Sequence, residues 1–270
     1  MRLDLHCHSN HSDGSLSALE LIQYAQHREI ELLSITDHDN IDVYDEILNI
    51  ETDIKIISGI EFSTTWNKIG IHVVGLNFDL KSAGLKQAIS SQTIARMGRA
   101  KIIGKRLEKL GIKDTYKTII TTGKKYIGRP DFAQLLVKQG HCKDINSAFK
   151  KYLGAGKIGD VKNQWLTLKQ VIDALKQASG MAVLAHPLFY RLTNSKLNRL
   201  IQEFKGLGGD GIEIVNGFQN PEKTDYLIML CKKYNLLASM GSDFHSPSRW
   251  KRLGCDTQWL TATDVIWDKF

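Results

Sequence analysis

Seven short runs of apolar, largely β-branched residues constrain this chain more than any other feature of its sequence. They are Arg2–Cys7, Leu32–Thr36, Ile54–Ile60, Ile71–Leu76, Met181–Ala185, Gly211–Val215 and Leu236–Met240. Most are nearly continuous and bounded by Gly, Asp or His, as expected of parallel strands covered on both faces. Between several of them, apolar residues recur at three- and four-residue spacings. Ser15 or Ser17 can cap a helix whose stripe includes Leu19, Ile22 and Ala25; Leu168–Ala178 and Glu222–Tyr234 repeat the pattern. This alternation predicts an α/β protein with a parallel sheet that can close into a barrel. The interval from Ile60 to Ile71 is too short for a crossover helix and interrupts the rhythm.

A longer interruption runs from about Leu80 to Leu166. It carries the helical pattern Leu85–Leu110, further helical stretches at Phe132–Gly140 and Ile145–Leu153, and little strand signal. The expected organisation is therefore a barrel built from residues 1–80 and 167–270, with 81–166 as a helical insertion covering the active site. Charge divides along similar lines. Residues 81–170 hold 20 Lys and Arg against 5 Asp and Glu, whereas the rest of the chain holds 16 against 24. An acidic body suits the holding of cations, and a basic segment suits attraction of a phosphate-bearing substrate.

Other features narrow the class. Cys7, Cys142, Cys231 and Cys255 are scattered without a CxxC pair, which argues against a zinc knuckle and a disulfide scaffold. Uncharged apolar stretches such as Ile71–Phe78 fall far short of the roughly 18 residues that span a bilayer. Arg2 and Asp4 interrupt the N-terminal apolar residues, so no secretory segment is expected. The expected setting is the reducing cytoplasm, with no membrane partner and no obligate protein partner evident.

The histidines are not spread at random relative to the strands. His6 and His8 end the first run, Asp37-His38 the second and Glu61 the third, while His72 lies at the fourth. His186 ends the fifth, Asp243 and His245 end the seventh, and Asp13 sits in the loop after the first. In parallel α/β barrels the carboxyl ends of the strands converge on one face, so six imidazoles and three carboxylates are expected to meet there. Alternation along a strand points His6 and His8 to the same side, where they can grip one ion, and turns Cys7 away. Asp4 shares that side one step deeper and can orient an imidazole; Asp37 and Asp39 can do the same for His38 or stay in solvent. Mixed nitrogen and oxygen donors suit Mn²⁺, Fe²⁺ or Zn²⁺. His72, taken alone, reads as a hydrogen-bonded structural residue. His11, His27 and His141 fall outside the pattern.

The segments His6-Cys7-His8, Ser12-Asp13-Gly14, Thr36-Asp37-His38, Gly59-Ile60-Glu61, His72, Ala185-His186-Pro187 and Gly241-Ser242-Asp243-Phe244-His245 resemble, in order, the motif set of the PHP (polymerase and histidinol phosphatase) family. The resemblance implies a distorted (β/α)7 barrel, related to the TIM barrel, with a helical insertion. It also implies up to three divalent ions, usually manganese, iron or zinc. In that pattern His6, His8, Glu61 and Asp243 hold one ion. Asp13, His38 and His245 hold a second, and Glu61, His72 and His186 a third. Asp13, Glu61, His186 and His245 would then serve catalysis directly.

Within the family the chain resembles the small branch that includes 3′,5′-nucleoside bisphosphate phosphatases, which also act as 5′→3′ exoribonucleases on short RNA. Arg96, Arg99 and Arg129 resemble that branch's phosphate-binding arginines, and Asp131 stands where a histidine is expected. Planar guanidinium donors fit phosphate bidentately. Tyr116, Tyr126, Phe132 and Trp165 are candidates to stack on bases. The implied activity is metal-dependent hydrolysis of nucleotide phosphoesters, with a nucleotide or short RNA as substrate. A histidinol-phosphate-type phosphatase, or a nucleic-acid-binding accessory module with structural metals, are the competing readings.

Overall fold

The computed structural model describes residues 1–124, 126–161, 165–217, 219–248, 252–258, 260 and 263–270. The chain divides into two compact units, Met1–Ile89 with Leu166–Phe270, and Ser90–Trp165.

In the first unit β1 (Arg2–Cys7) leads through α1 (Ala18–His27) to β2 (Leu32–Ile35), then through the short α2 (Val43–Ile47) to β3 (Lys55–Ile56). β4 (Gly59–Trp66) and β5 (Ile69–Leu76) follow. After the second unit come α7 (Leu168–Gln177), β6 (Met181–Leu184), α8 (Asn194–Gly206), β7 (Gly211–Asn216), α9 (Pro221–Tyr234), β8 (Leu237–Gly241) and β9 (Cys255–Asp256). The second unit holds the continuation of α3 (Ala83–Glu108), then α4 (Thr115–Ile120), α5 (Arg129–Lys138), α6 (Ile145–Ala148) and a π-helical turn at Phe149–Leu153.

The α/β class holds, but the expected barrel of parallel strands does not appear as a continuous ring among the described residues. The strands form two sheets, ordered β3-β2-β1-β9 and β4-β5-β6-β7-β8. Ladders β1–β2, β2–β3, β6–β7 and β7–β8 are parallel, whereas β4–β5, β5–β6 and β1–β9 are antiparallel. The reason lies in the interval that had no room for a helix. The expected strand Ile54–Ile60 splits, and its second part runs on through Ser63-Thr64-Thr65 to Trp66. Asn67 and Lys68 then turn the chain back with φ of 47° and 67°. Two consecutive positive φ values give a tight hairpin whose twist matches that of the strands. Isolated bridges join the two sheets, Cys7 to Phe244 and His38 to Glu61.

Helix α1 shows how local sequence sets these elements. Ser17 rather than Ser15 is the cap: its Oγ accepts the Glu20 N–H at 3.3 Å, and Glu20 Oε2 accepts the Ser17 N–H at 2.8 Å. Such a cap contributes about 1 kcal/mol. Ala18, Leu21, Ile22 and Ala25 are buried, while Leu19, expected in the stripe, faces solvent. Helices α7, α8 and α9 bury Leu175, Phe204 and Leu227 in the main core with Leu3, Phe62 and Val183. Full burial of a side chain such as Phe204 contributes roughly 1.5–3 kcal/mol. Cys7, Leu33, Ile35 and Phe244 pack with α1 in a separate cluster.

The second unit has its own core, including Ile103, Leu107, Phe132, Leu136 and Leu153. Full burial takes Phe132 off the list of base-stacking candidates. Asp131 is explained locally: its carboxylate accepts the Gly128 N–H at 2.7 Å at the start of α5 and the Lys124 ammonium at 2.7 Å. Arg96 and Arg99 lie 5.3 and 5.4 Å from the centre of the Trp165 ring. Arg129 lies 5.9 Å from the Phe149 ring and donates to the Leu153 carbonyl at 3.3 Å.

Candidate metal centre

The carboxyl end of β1 is fixed by backbone before any side chain meets another. The Asp243 N–H donates to the His6 carbonyl at 2.7 Å, and the His8 N–H donates to the Phe244 carbonyl at 2.8 Å. These bonds align β1 with the turn after β8, so His6, His8, Asp243 and His245 share one rim. On the other side, the Asp39 N–H donates to the Glu61 carbonyl at 3.0 Å, and the Glu61 N–H to the Asp37 carbonyl at 3.2 Å. They bring β4 and the loop after β2 to the same rim.

The loop carrying Asp13 is built by Asp37. That carboxylate accepts from the Ser9 N–H at 2.9 Å, Ser9 Oγ at 2.6 Å and Ser12 Oγ at 2.5 Å. A side chain on Gly14 would meet the His8 carbonyl oxygen at 2.2 Å, so this turn requires glycine. Asp4 and Asp37 thus do not take the imidazole-orienting roles expected of them. Asp4 is buried and accepts the His6 N–H, the Ser242 N–H and Oγ, and the Gly254 N–H, all within 3.1 Å. Asp39 accepts the Ser63 N–H at 2.7 Å. Backbone donors claim acids close to a strand because unpaired N–H groups are costly to bury.

Glu61 stands at the centre. Its Oε1 lies 2.6 Å from His72 Nδ1 and 3.0 Å from His186 Nε2. Its Oε2 lies 2.9 Å from His38 Nδ1, 3.3 Å from His8 Nε2 and 3.4 Å from His6 Nε2. Five imidazoles therefore face one carboxylate. Asp13 lies 3.2 Å from His245 Nε2 and 3.8 Å from both His8 Nδ1 and His38 Nε2. Asp243 Oδ1 lies 3.3 Å from His8 Nε2, 3.5 Å from His245 Nδ1 and 3.6 Å from His6 Nε2. The residues converge as expected, His72 included, although its lone position favoured a structural role. Cys7 points away, its thiol against the Ser34 carbonyl.

Electrostatics follow from this crowding. Burial alone would raise the Glu61 carboxyl, but His72, His38 and His6 outweigh it and hold it well below the usual range. Asp13 is likewise held well below it, against the pull of burial, by His38, His245 and His8. Burial would depress His6, yet Glu213 and Glu61 hold its imidazole well above the ordinary value; for His72 burial wins and the value falls. The cluster is closed at His6 and His8, which are 1% and 0% exposed, and open at His72 and His245, at 32% and 30%.

Whether these donors suit cations can be tested on Glu61 itself. Its Oε2 is buried and makes no hydrogen bond despite the nitrogens around it. Buried polar atoms are normally satisfied, and a carboxylate oxygen ringed by imidazole nitrogens is satisfied by cations held between them. Among the described residues, four sets present donor atoms within 4.8 Å of one another: His8, Asp13, His38, His245; His6, His8, Asp243; His6, Glu61, His186; and His38, Glu61, His72. The residues fit divalent ions.

Two residues at the site escaped the sequence reading. Tyr190 accepts the His72 N–H at 2.9 Å and donates to the Ala185 carbonyl at 2.8 Å, tying β5 to the end of β6. Glu213 on β7 accepts from His6 Nδ1 at 2.8 Å and from the His186 N–H at 2.5 Å. A single acid within Gly-Ile-Glu-Ile-Val was the available signal, since burying an acid in an apolar strand demands a partner.

A model of the PHP domain matches residues 4–262. The chain is 38% identical over 271 residues to a 5′-3′ exoribonuclease of Haemophilus influenzae, covering 100% of this chain and 99% of that one. It is 35% identical over 249 residues to a 3′,5′-nucleoside bisphosphate phosphatase of Chromobacterium violaceum, covering 91% and 87%. A solved structure from Chromobacterium violaceum, described as an amidohydrolase with bound sulfate and no metal, superposes with a TM-score of 0.90 at 33% identity, covering 100% of this chain and 95% of that one.

Proposed function

The chain belongs to the PHP domain family, and from that premise we propose that it is a metal-dependent phosphoesterase acting on nucleotides. It removes the 3′-phosphate of 3′,5′-nucleoside bisphosphates, degrades short RNA from the 5′ end, or does both. The observation that carries the reading is Glu61, one carboxylate shared by five imidazoles, with Asp13 and Asp243 beside them. Relatives named for nucleotide and RNA hydrolysis support the substrate class.

His6, His8, Asp13, His38, Glu61, His72, His186, Asp243 and His245 would hold up to three ions, manganese before iron or zinc. When bound, such ions lower the pKa of a coordinated water from 15.7 to about 7 and neutralise charge on the phosphoryl oxygens. The protein's own residues do the rest. Asp13, Glu61 and Asp243 supply the anionic charge that selects cations over empty imidazole clusters. Either His186 or His245 would protonate the leaving oxygen only in a state in which its ring is not holding an ion, because ligation and proton delivery compete for the same imidazole. In the second unit, Arg96, Arg99 and Arg129 bind the substrate's phosphate, with residues 81–166 as the substrate-binding insertion. Two guanidinium groups beside Trp165 support that role.

We read the two sheets as a distorted (β/α)7 barrel, supported by the rim bridges Cys7–Phe244 and His38–Glu61. Among the described residues no helix is long and apolar enough to cross a membrane. Four free, buried cysteines support a reducing, cytoplasmic setting.

The test is a substrate panel: purified protein, stripped of metal and reloaded with manganese, given adenosine 3′,5′-bisphosphate, a 5′-phosphorylated oligoribonucleotide and histidinol phosphate. Manganese-dependent release of phosphate from the first or mononucleotides from the second is expected. Turnover of histidinol phosphate alone, or RNA binding without hydrolysis, would contradict the proposal. Steep loss of RNA hydrolysis with added salt, beside weak loss for the bisphosphate, identifies an extended basic groove.

A further inference from the structure

Glu213 lies in β7, a strand that contributes no other acid or histidine to the rim. It is 2% exposed, and its neighbours Ile212 and Ile214 point into the main core. An isolated carboxylate in such a place demands compensation, and here both oxygens are used on residues of the metal centre. Oε1 accepts from His6 Nδ1 at 2.8 Å. Oε2 accepts from the backbone N–H of His186 at 2.5 Å and from Asn216 Nδ2 at 3.2 Å.

Each bond settles something different. An acceptor oxygen beside Nδ1 keeps the single proton of a neutral, ion-holding His6 ring on that nitrogen. Nε2, the nitrogen facing His8, Glu61 and Asp243, is then left with its lone pair toward the cluster. His186 has φ of 26° and ψ of 56°, a left-handed backbone conformation that non-glycine residues adopt only when the surrounding structure holds them there. Its N–H bond to the Glu213 carboxylate is the anchor that holds the residue there. The same conformation aims His186 Nε2 at Glu61 Oε1, 3.0 Å away. The packing admits little play: a side chain on Gly241 would come within 2.3 Å of the His6 Cβ and 3.0 Å of Glu213 Oε1.

We propose that Glu213 is a positioning residue of the metal centre, setting the tautomer of His6 with one oxygen and the backbone of His186 with the other. This rests on the metal-dependent reading above and deepens it. Carboxylates that orient ligating imidazoles typically alter metal affinity 10- to 100-fold when removed.

Glu213→Gln keeps the size of the side chain but can accept at only one of its two terminal atoms, so it satisfies His6 or His186, not both. Manganese binding to the metal-stripped protein, followed by electron paramagnetic resonance, is expected to weaken 10- to 100-fold in Glu213→Gln. Asn216→Ala, which spares both bonds to the ligands, is expected to bind manganese within threefold of wild type. Equal weakening in both variants, or unchanged affinity in Glu213→Gln, would overturn the assignment. A wild-type measurement decides the matter if Glu213→Gln does not fold: nitrogen-15 spectra of the metal-loaded protein, with a diamagnetic divalent ion, should show His6 protonated at Nδ1. Protonation at Nε2 would overturn it. If wild type takes up no divalent ion at all, the metal-dependent reading itself fails, an outcome distinct from either.

Discussion

Asp13→Ala and His186→Ala are each expected to lower turnover by on the order of 10³-fold or more, about 4 kcal/mol of transition-state stabilisation, while the fold survives. Asp13 faces His8, His38 and His245, and without it that donor set consists of three imidazoles and no anion. Its loop is held by Asp37 through Ser9 and Ser12, so removing the Asp13 carboxylate leaves the turn intact. His186→Ala removes a donor to Glu61 but keeps the backbone N–H that Glu213 accepts. Steady-state kinetics on adenosine 3′,5′-bisphosphate, with circular dichroism of the same preparations, checks both halves of the expectation. Wild-type activity in a variant whose metal content has been measured would remove these residues from the site.

Glu61→Gln should have the wider effect. The carboxylate belongs to two of the four donor sets, one with His6 and His186 and one with His38 and His72. Asp243 belongs to one, with His6 and His8. Swapping a carboxylate for an amide preserves volume and removes the negative charge that five imidazoles share. Glu61→Gln is therefore expected to lose more manganese per chain than Asp243→Asn, and to lose at least 10³-fold in turnover, the upper range for removal of one electrostatic group. Equilibrium dialysis with elemental analysis measures the first. Equal manganese content in the two variants would show that Glu61 does not bridge the sets.

Much of the site was legible because its chemistry is concentrated at strand ends. His6-x-His8, Asp37-His38, Ala185-His186 and Asp243-x-His245 each follow an apolar run, and polar donors just beyond a buried strand are conspicuous. The groups that hold those donors were less visible. Glu213 is one acid inside an apolar strand, and its importance depends on residues 27 and 207 positions away in sequence. Asp4 and Asp37 were seen, but their partners are serine and backbone donors, which leave no signature in spacing. For the fold, periodicity located most strands and could not give their direction. Ser63-Thr64-Thr65 hid the length of β4, and a turn of two positive-φ residues, Asn67 and Lys68, reversed the chain where a crossover was impossible. Helix faces were legible only in part: Leu19 matches the apolar spacing of α1 and is nevertheless exposed. Base stacking by Phe132 failed because that ring is needed in the second unit's core.

The central claim is that donors from six strands and the loops beyond them gather around Glu61 to hold divalent ions. A crystal grown with manganese and measured at the manganese absorption edge tests it most directly. Anomalous peaks are expected among His6, His8, Asp13, His38, Glu61, His72, His186, Asp243 and His245, with Glu61 touching more than one. An anomalous map with no peak in that cluster, at manganese concentrations that support hydrolysis, would contradict it.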